Sequence, residues 1–279
     1  MRIGCSAAVG VLLGGCNPLL GLDPTHAIDA AYFDAPPDAP YRCPSTGTLP
    51  RFSRQFRQAV LQDCTQYSLS LRAGTALARC ADNYYEGQVD GALTLALGLQ
   101  STGAITIRQA RLGPDGDVAI VSFDESATRK HTFAHRTGAA WVLDPIPVDS
   151  AGRFLVISTP TRGPAVHLVG LTPTGMHELV QLPDQSWRDA ATYSNASLHL
   201  SGLGGDYLNL SPDGLRLVYL GASFDGAGLL YSDRATLADA FGPFRPLEPV
   251  EFVGSAQLTE DCERLYFSAL GTVWFAEHE

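Results

Sequence analysis

The 279-residue sequence is poor in charge and lacks a long hydrophobic run. Charged residues make up only 17% of the chain, and Lys130 is the single lysine. Residues 3–13 form an uncharged apolar stretch of eleven residues near the N-terminus. As a helix this stretch would rise about 16 Å, whereas the hydrocarbon core of a bilayer is about 30 Å thick. The stretch is therefore too short to be a transmembrane helix in its own right.

The sequence also lacks the short motifs that mark common enzymatic sites. It contains no Gly-x-Ser-x-Gly elbow, no phosphate-binding glycine loop and no zinc-type cysteine pairing. His131 and His135 are four residues apart, a spacing that makes a metal pair on a helix, but they bracket a predicted strand. We therefore expect no catalytic residue, no metal and no cofactor, and a protein that is not an enzyme.

Basic residues are scarce relative to acidic ones. Lys and Arg total 19 against 29 Asp and Glu, which gives a net charge of −10 at pH 7. Such a surface repels phosphate backbones, so no nucleic-acid partner is expected. What the chain has instead is 28 Gly, 18 Pro and 45% hydrophobic residues. Frequent turn residues within an apolar chain are typical of many short strands, and the predicted fold class is all-β.

The N-terminus has the order of an export signal. Arg2 supplies the positive charge, residues 3–13 the apolar segment, and two glycines precede Cys16. The run Leu13-Gly14-Gly15-Cys16 resembles the bacterial lipobox, so residues 1–15 are predicted to be a lipoprotein signal peptide. The resemblance implies diacylglycerol attachment at Cys16, and two or more acyl chains anchor a protein stably. Asn17 follows the cysteine, which by the same resemblance implies the outer membrane.

Residues 16–42 have the composition of a linker. They contain the acidic, proline-rich run Asp34-Ala35-Pro36-Pro37-Asp38 and little periodic apolar content. This composition predicts a disordered spacer between the lipidated cysteine and the body, which comprises residues 43–279.

A recurring turn organises the body. The clearest copy is Leu-Ser-Pro-Asp-Gly at residues 210–214, followed by the strand-like run Arg-Leu-Val-Tyr. Residues 112–116 repeat this frame, and residues 148–152 and 258–262 are predicted to be degenerate copies. Pro fixes the first turn dihedral, Asp caps the turn, and Gly supplies a positive φ before a strand. The turn residues singled out by this pattern are Asp115, Gly116, Gly152, Asp213, Gly214 and Asp261, with Cys262 replacing the last glycine.

Each turn leads into two successive strand candidates, and periods of roughly 40–50 residues are typical of propeller blades. The Ser-Pro-Asp-Gly-x-Arg-Leu-Val-Tyr run resembles the WD-like repeat of TolB-type β-propellers, and the lipobox and linker resemble those of myxobacterial lipoproteins. The resemblance implies a propeller of five or six blades, with six favoured. The long gap between Gly152 and Gly214 then predicts an insertion or an eroded blade around residues 187–205. A β-sandwich is the alternative, because Pro-Asp-Gly turns also occur there.

Four cysteines remain after signal cleavage, namely Cys43, Cys64, Cys80 and Cys262. An even number in an exported chain favours disulfides. A hairpin around Gly74 would place Cys64 and Cys80 opposite each other, which makes them the first predicted pair. Alternatively, the spacing from Phe52 to Cys64 fits one face of a helix, which a Cys43–Cys64 bond would hold. Cys262 is a candidate to join the N-terminal region and close the ring.

By resemblance, a TolB-type body implies binding at the loop faces of the propeller. The predicted function is that of a non-enzymatic scaffold in the cell envelope, with a protein or peptidoglycan-associated partner. The alternative is a glycan-binding or glycoside-cleaving propeller. That alternative requires acidic and aromatic side chains to converge at one mouth of the central channel.

Overall fold

The computed structural model describes residues 52, 57–58, 64–149, 152–161, 165–224, 226–247, 255–269 and 271–278. These residues form twenty β-strands and no helix. Within this part of the chain, no helix is long and apolar enough to cross a membrane. The predicted signal peptide, the linker, Cys16 and Cys43 lie outside the described residues.

The strands form five antiparallel four-stranded sheets, which we call blades 1 to 5. The first strand of the chain is β1 (Arg57–Gln58), which belongs to blade 5. Blade 1 consists of β2 (Cys64–Ser70), β3 (Thr75–Cys80), β4 (Asn83–Gln88) and β5 (Leu93–Leu95). Blade 2 consists of β6 (Ile105–Leu112), β7 (Val118–Glu125), β8 (Thr128–Thr137) and β9 (Ala140–Leu143). Blade 3 consists of β10 (Val156–Ile157), β11 (His167–Thr172), β12 (Gly175–Gln181) and β13 (Trp187–Ser194).

Blade 4 consists of β14 (Leu200–Leu210), β15 (Arg216–Ser223), β16 (Gly226–Asp233) and β17 (Arg245–Pro246). Blade 5 consists of β18 (Ser255–Leu258), β19 (Arg264–Ala269) and β20 (Thr272–Glu277), with β1 as its outermost strand. Arg57 pairs with Phe275, and Phe52 forms a further bridge to His278. The last blade is therefore completed by the N-terminal end of the described body, and this pairing closes the ring.

The all-β propeller prediction is confirmed, whereas the favoured count of six blades and the sandwich alternative are wrong. The residues that were predicted to hold an eroded blade belong to two ordinary ones. Residues 187–194 form β13, the outermost strand of blade 3, and Leu200 begins β14, the first strand of blade 4. The ring is a five-bladed β-propeller.

Four turns of matching geometry connect the first and second strands of blades 1, 2, 4 and 5. The φ angles are 63° at Gly74, 72° at Gly116, 72° at Gly214 and 64° at Cys262. Each of these four residues donates its N–H to the carbonyl three residues earlier, at 2.8–3.1 Å. Cys262 thus adopts the left-handed conformation that glycine adopts in the other copies.

The predicted equivalence of Gly152 to these turns is wrong. Gly152 has a φ of 66°, but it precedes β10 instead of following the first strand of a blade. There the Asp149 carboxylate accepts a hydrogen bond from the Phe154 N–H at 2.8 Å. An Asp and a Gly serve any tight turn, so their spacing does not tell which strands the turn joins. The fourth copy is the turn at Gly74 in blade 1.

The core lies between neighbouring blades, where side chains from facing sheets pack together. Between blades 3 and 4, Val169 and Met176 pack with Leu208 and Leu217. A similar cluster joins blade 4 to blade 5, and others join blade 1 to blade 2 and blade 2 to blade 3. Neighbouring blades cover both faces of these sheets, so several consecutive residues of β7, β11, β15 and β19 are buried. This explains why the second strands of these blades are rich in branched aliphatic and aromatic residues.

The predicted Cys64–Cys80 disulfide is confirmed. The two cysteines are register partners in β2 and β3, with Cα atoms 3.9 Å apart. Phe52 lies in a β-bridge and Cys64 in a strand, so the helix that the alternative pairing required is wrong for these residues. Cys262 is also disulfide-bonded.

Candidate functional site

The first strands of the blades surround the central channel, and polar side chains join them to one another. Gln257 of β18 bonds the backbone of Leu69 in β2 twice, accepting from its N–H at 3.2 Å and donating to its carbonyl at 3.0 Å. Asn209 of β14 donates to the carbonyl of Ala256 at 2.5 Å. These side chains tie blade 5 to blade 1 and blade 4 to blade 5.

Hydroxyl groups make two further links of this kind. Thr159, just after β10, donates its hydroxyl to the carbonyl of Leu210 at 2.9 Å. The Ser68 hydroxyl accepts the N–H of Leu112 at 2.8 Å. Side chains that bond the backbone of the neighbouring blade therefore bridge the inner strands of blades 1 and 2, 3 and 4, 4 and 5, and 5 and 1.

Arg111 makes a longer connection than these. It lies in β6 of blade 2, yet its Nη1 donates to the carbonyl of Leu208 in blade 4, two blades away around the ring. A contact between blades that are not neighbours requires the side chain to cross the channel. Arg111 is only 4% exposed, and burial lowers the pKa of its guanidinium to about 10. A buried cation thus spans the channel.

The channel opens on the face that carries the turns between first and second strands, which we call the turn face. The opening leads into a cavity of about 40 Å³. Its rim is formed by one proline from each of blades 2, 3 and 4, and by an acid from blade 5: Pro114, Pro160, Pro212 and Glu260.

Glu260 is a buried carboxylic acid at this mouth. Its Oε2 accepts the N–H of Arg72 at 3.3 Å. Burial raises the pKa of Glu260 to about 8, while the Arg72 N–H opposes the rise and the charges of Asp261 and Asp115 add to it. The Arg72 guanidinium itself lies 3.7 Å from Asp115. The mouth thus holds a carboxyl group that titrates near neutral pH.

A larger cleft of about 600 Å³ lies on the turn face between blades 2 and 3, next to the channel mouth. Pro114 and Pro160 border both spaces. The cleft is acidic, because three aspartates line it, namely Asp115, Asp117 and Asp144.

An aromatic wall and a histidine complete the cleft. Phe133 lines it and stacks on Trp187 with ring centroids 5.8 Å apart. His135 Nε2 lies 3.1 Å from Asp144 Oδ2, and the histidine side chain is 50% exposed. The cleft therefore offers carboxylates and a half-exposed imidazole to a ligand, with the largely buried ring of Phe133 in its wall.

The two histidines considered as a metal pair lie in different surroundings. His131 is fully buried, with Ser122 Oγ 2.8 Å from its Nδ1 and the Phe154 carbonyl 3.1 Å from its Nε2. Burial lowers the pKa of His131 to about 4, so it is neutral at pH 7. His135 instead lines the cleft. Among the described residues, no group of three His, Cys, Asp or Glu side chains is placed to hold a metal ion.

The predicted turn residues fall into two groups. Asp213 accepts the N–H of Leu215 at 3.1 Å, and Asp261 accepts the N–H of Glu263 at 3.1 Å, so both cap their own turns. Asp115 also lies in its turn but lines the cleft and pairs with Arg72.

Sequence reasoning missed Arg111 and Glu260. One signal was available: a long polar residue directly precedes the leucine of three repeat copies, as Arg111, Asn209 and Gln257. In the structure each of these is the penultimate residue of a first strand. The pattern marks the positions whose side chains cross the channel or link neighbouring first strands, but it does not indicate what each side chain contacts.

Comparisons with known proteins give structural neighbours only. The chain matches no family model and no curated protein. Its fold is similar to that of TolB from Acinetobacter baumannii, with a TM-score of 0.48 and 8% identity over 78% of this chain and 55% of that one. The chain thus spans about half the length of that TolB.

Two further solved structures are similar in fold. A gluconolactonase from Xanthomonas campestris has a TM-score of 0.47 and 10% identity over 85% of this chain and 97% of that one. A putative TolB from Agrobacterium tumefaciens has a TM-score of 0.45 and 11% identity over 74% of this chain and 69% of that one. The chain is a five-bladed β-propeller whose structural neighbours include TolB-like propellers.

Proposed function

We propose that this protein is a lipid-anchored scaffold of the bacterial cell envelope, and that its partner binds to the turn face of the propeller. The partner is a protein that presents basic side chains, and the activity is binding without catalysis. The observation that carries this proposal is the acidic cleft between blades 2 and 3.

The volume and lining of the cleft suit a protruding basic side chain. Ligand sites commonly measure about 300–1,000 Å³ and combine an apolar wall with a few polar groups. The cleft, at about 600 Å³, has Phe133 as its wall and three aspartates around it. An aromatic face attracts the cationic end of arginine or lysine and packs against its aliphatic stem. The net charge of −10 favours approach of a basic partner over an acidic one.

Photocrosslinking from each face of the propeller tests where the partner binds. A photoreactive residue replaces Gln185, which lines the cleft, or Ser126, which lies in the turn between β7 and β8 at the opposite face. We expect a discrete crosslinked protein from position 185 and none from position 126 in intact cells. Equal products from both positions would contradict binding at the turn face.

A charge reversal tests the chemistry of recognition. Asp117→Lys places a cation in the cleft, so the crosslink from position 185 should decrease at least about tenfold if basic groups are recognised. Asp82→Lys is the matched control, because Asp82 lies in the β3–β4 turn with its side chain 96% exposed. An Asp117 variant that crosslinks as well as the wild type would exclude a role for charge in this cleft.

The anchor is tested separately. Cys16→Ser removes the acyl-accepting thiol, and we expect the exported protein to move from the membrane fraction to the soluble fraction on cell fractionation. Cys5→Ser is the control, because Cys5 lies within the signal and is not preceded by an apolar run and a pair of small residues. A Cys16→Ser protein that stays firmly in the membrane fraction would overturn the anchor.

Glycan binding is the second candidate, and the stacked Phe133 and Trp187 beside carboxylates favour it. Sugars pack on flat aromatic rings while carboxylates accept their hydroxyl protons. Titration with soluble peptidoglycan fragments would report binding as a change in tryptophan fluorescence, and a Trp187→Phe variant would separate the signal of Trp187 from those of Trp141 and Trp274. A saturable change that is absent in Phe133→Leu would favour the glycan over the basic protein partner.

A further inference from the structure

We propose that the acidic cleft between blades 2 and 3 binds a protein segment in which a basic residue is flanked by apolar residues. This inference rests on the proposed function and extends it, because it names the chemistry that surrounds the basic side chain. It depends on a row of exposed aliphatic side chains at the outer border of the cleft. We call this row the apolar strip, and it consists of Leu97, Val142 and Ile146.

The apolar strip follows the outer edge of blade 2. Val142 in β9 is the register partner of His135 in β8, so the two side chains lie on the same face of the blade. His135 lines the cleft, and Val142 therefore lies directly beside it. Ile146 comes four residues later in the chain, after Asp144, which also lines the cleft. The strip thus continues the wall of the cleft outward.

Leu97 joins the strip from blade 1. It forms a parallel bridge with Ala140, and its carbonyl accepts the N–H of Trp141 at 2.8 Å. Partners in a bridge share a face, as do residues two apart in a strand, so Leu97 lies on the same face as Val142. Gly98 permits this close approach, because a Cβ atom at that position would overlap the Trp141 carbonyl oxygen. Backbone contacts therefore hold the strip in place.

The residues of the strip are exposed, by 49% at Leu97, 54% at Val142 and 74% at Ile146. They are three of the seven large hydrophobic residues that are exposed in the described part of the chain. Single exposed apolar residues are ordinary on a protein surface, whereas a group of them beside a cleft is typical of a binding site. The strip is therefore a candidate contact surface for the ligand of the cleft.

Carboxylates beside the strip define the chemistry of the occupant. Asp144 lies between Val142 and Ile146 in the sequence, and Asp117 is exposed in the same cleft. A partner that covers these carboxylates must supply cations, because a buried charge without a counterion is costly. The aliphatic side chains gain free energy only against apolar surface. Both conditions are met by a segment with a basic residue between apolar ones.

Charge and surface chemistry disfavour the other occupants of this surface. A second copy of the chain carries the same net charge of −10, and an anionic membrane surface repels that charge in the same way. A glycan presents mainly hydroxyl groups and would leave the aliphatic strip without apolar surface opposite it. A basic and partly apolar protein segment satisfies both the strip and the carboxylates.

The crosslink from position 185 tests the strip with a closely matched pair of variants. Leu97→Ser and Leu155→Ser each replace a leucine that is about half-exposed, at 49% and 46%. Leu155 precedes β10, and its N–H donates to Leu171, next to the β11–β12 turn on the opposite face. We expect Leu97→Ser to reduce the crosslink roughly fivefold, since half a leucine side chain loses its apolar contact, and Leu155→Ser to leave it unchanged.

The melting temperatures of both variants serve as the folding control and should equal that of the wild type, because neither leucine is buried. Equal crosslinking in Leu97→Ser and Leu155→Ser would overturn the inference. A loss of the crosslink in Asp117→Lys would still support the proposed function in that case, so the two failures are distinct. A photoreactive residue in place of Val142 probes the strip itself. Absence of any crosslinked protein from position 142 would overturn the inference, whatever position 185 yields.

Selection from a random peptide library tests the chemistry of the segment in vitro. Purified wild-type protein selects the peptides, and those that also bind the double variant Leu97→Ser with Val142→Ser are removed. We expect enriched peptides to carry Arg or Lys with an apolar residue within two positions on each side. Basic peptides without such neighbours would overturn the inference and leave the proposed function standing. Peptides that lack a basic residue would contradict both.

Discussion

Arg234 and Glu178 form a buried bidentate ion pair that joins blade 4 to blade 3. Arg234 Nη1 lies 2.9 Å from Glu178 Oε2 and Nη2 lies 2.8 Å from Oε1, and the two side chains are 0% and 5% exposed. His167 lies 3.1 Å from the same carboxylate, and Arg234 stacks over Phe241. Burial raises the pKa of Glu178, but the hydrogen bonds with His167 and Arg234, together with the charge of Arg234, outweigh it and lower the pKa.

This pair predicts a strongly non-additive response to mutation. Arg234→Met leaves the Glu178 carboxylate buried without its main partner, which typically costs about 3–5 kcal/mol of unfolding free energy. The double variant Glu178→Leu with Arg234→Met removes both charges and should be less destabilised than either single variant. Urea denaturation of the four proteins gives the coupling energy. Additive effects would mean that the pair does not act as a unit.

Ring closure predicts a second stability effect. Phe52 is 2% exposed and packs in the cluster that joins blades 4 and 5, while its backbone bridges to His278. Phe52→Ala should cost about 3–5 kcal/mol, because a buried aromatic side chain is lost at the closing seam. Phe224→Ala is the matched control, because Phe224 is 66% exposed. The prediction fails if both variants unfold at the same denaturant concentration.

Removal of the Cys64–Cys80 disulfide should destabilise the first blade. The bond closes a loop with a sequence separation of 16, for which chain entropy predicts about 3 kcal/mol. We expect this loss in Cys64→Ala with Cys80→Ala, measured by thermal or urea denaturation. The double variant is preferable to a reducing agent, which would also act on the disulfide of Cys262. A change below about 1 kcal/mol would indicate that the hairpin is already restrained in the unfolded chain.

The raised pKa of Glu260 predicts that the free energy of unfolding decreases as the pH rises. Its folded pKa of about 8 lies above the ordinary value of 4.5, so the folded protein binds the proton more tightly than the unfolded chain. The resulting stabilisation is complete below pH 4.5 and is lost as the pH rises through 8. Glu260→Gln should therefore be more stable than the wild type at pH 9 and of similar stability at pH 5.

Glu263→Gln is the control for this pH dependence, since Glu263 lies in the same turn but is exposed. Urea denaturation between pH 5 and pH 9 gives the free energy of unfolding as a function of pH for the wild type and for both variants. If the free energy of unfolding falls with pH as steeply in Glu260→Gln as in the wild type, another group causes the loss of stability at high pH. His131 contributes in the opposite direction, since its lowered pKa removes stability as the pH falls from 6.5 toward 4.

The sequence by itself determined the local features of this protein. Pro-Asp-Gly turns set the backbone dihedrals, and the short apolar runs that follow them are buried as strands, so together they specify hairpins. The repeat therefore predicted a propeller, and the symmetry of the β2–β3 hairpin predicted the Cys64–Cys80 pair. Both depend on contacts between residues that are close in the chain.

Only the tertiary structure decided the number of blades and the placement of the channel groups. Gly152 has the residue type and φ of a repeat turn, yet it leads into a first strand, because turn chemistry does not encode which strands pair. The fifth blade requires β1 to pair with β20, a contact between the two ends of the body. Arg111 and Glu260 acquire their burial and shifted pKa values when distant blades converge on one axis, a long-range arrangement that no local pattern specifies.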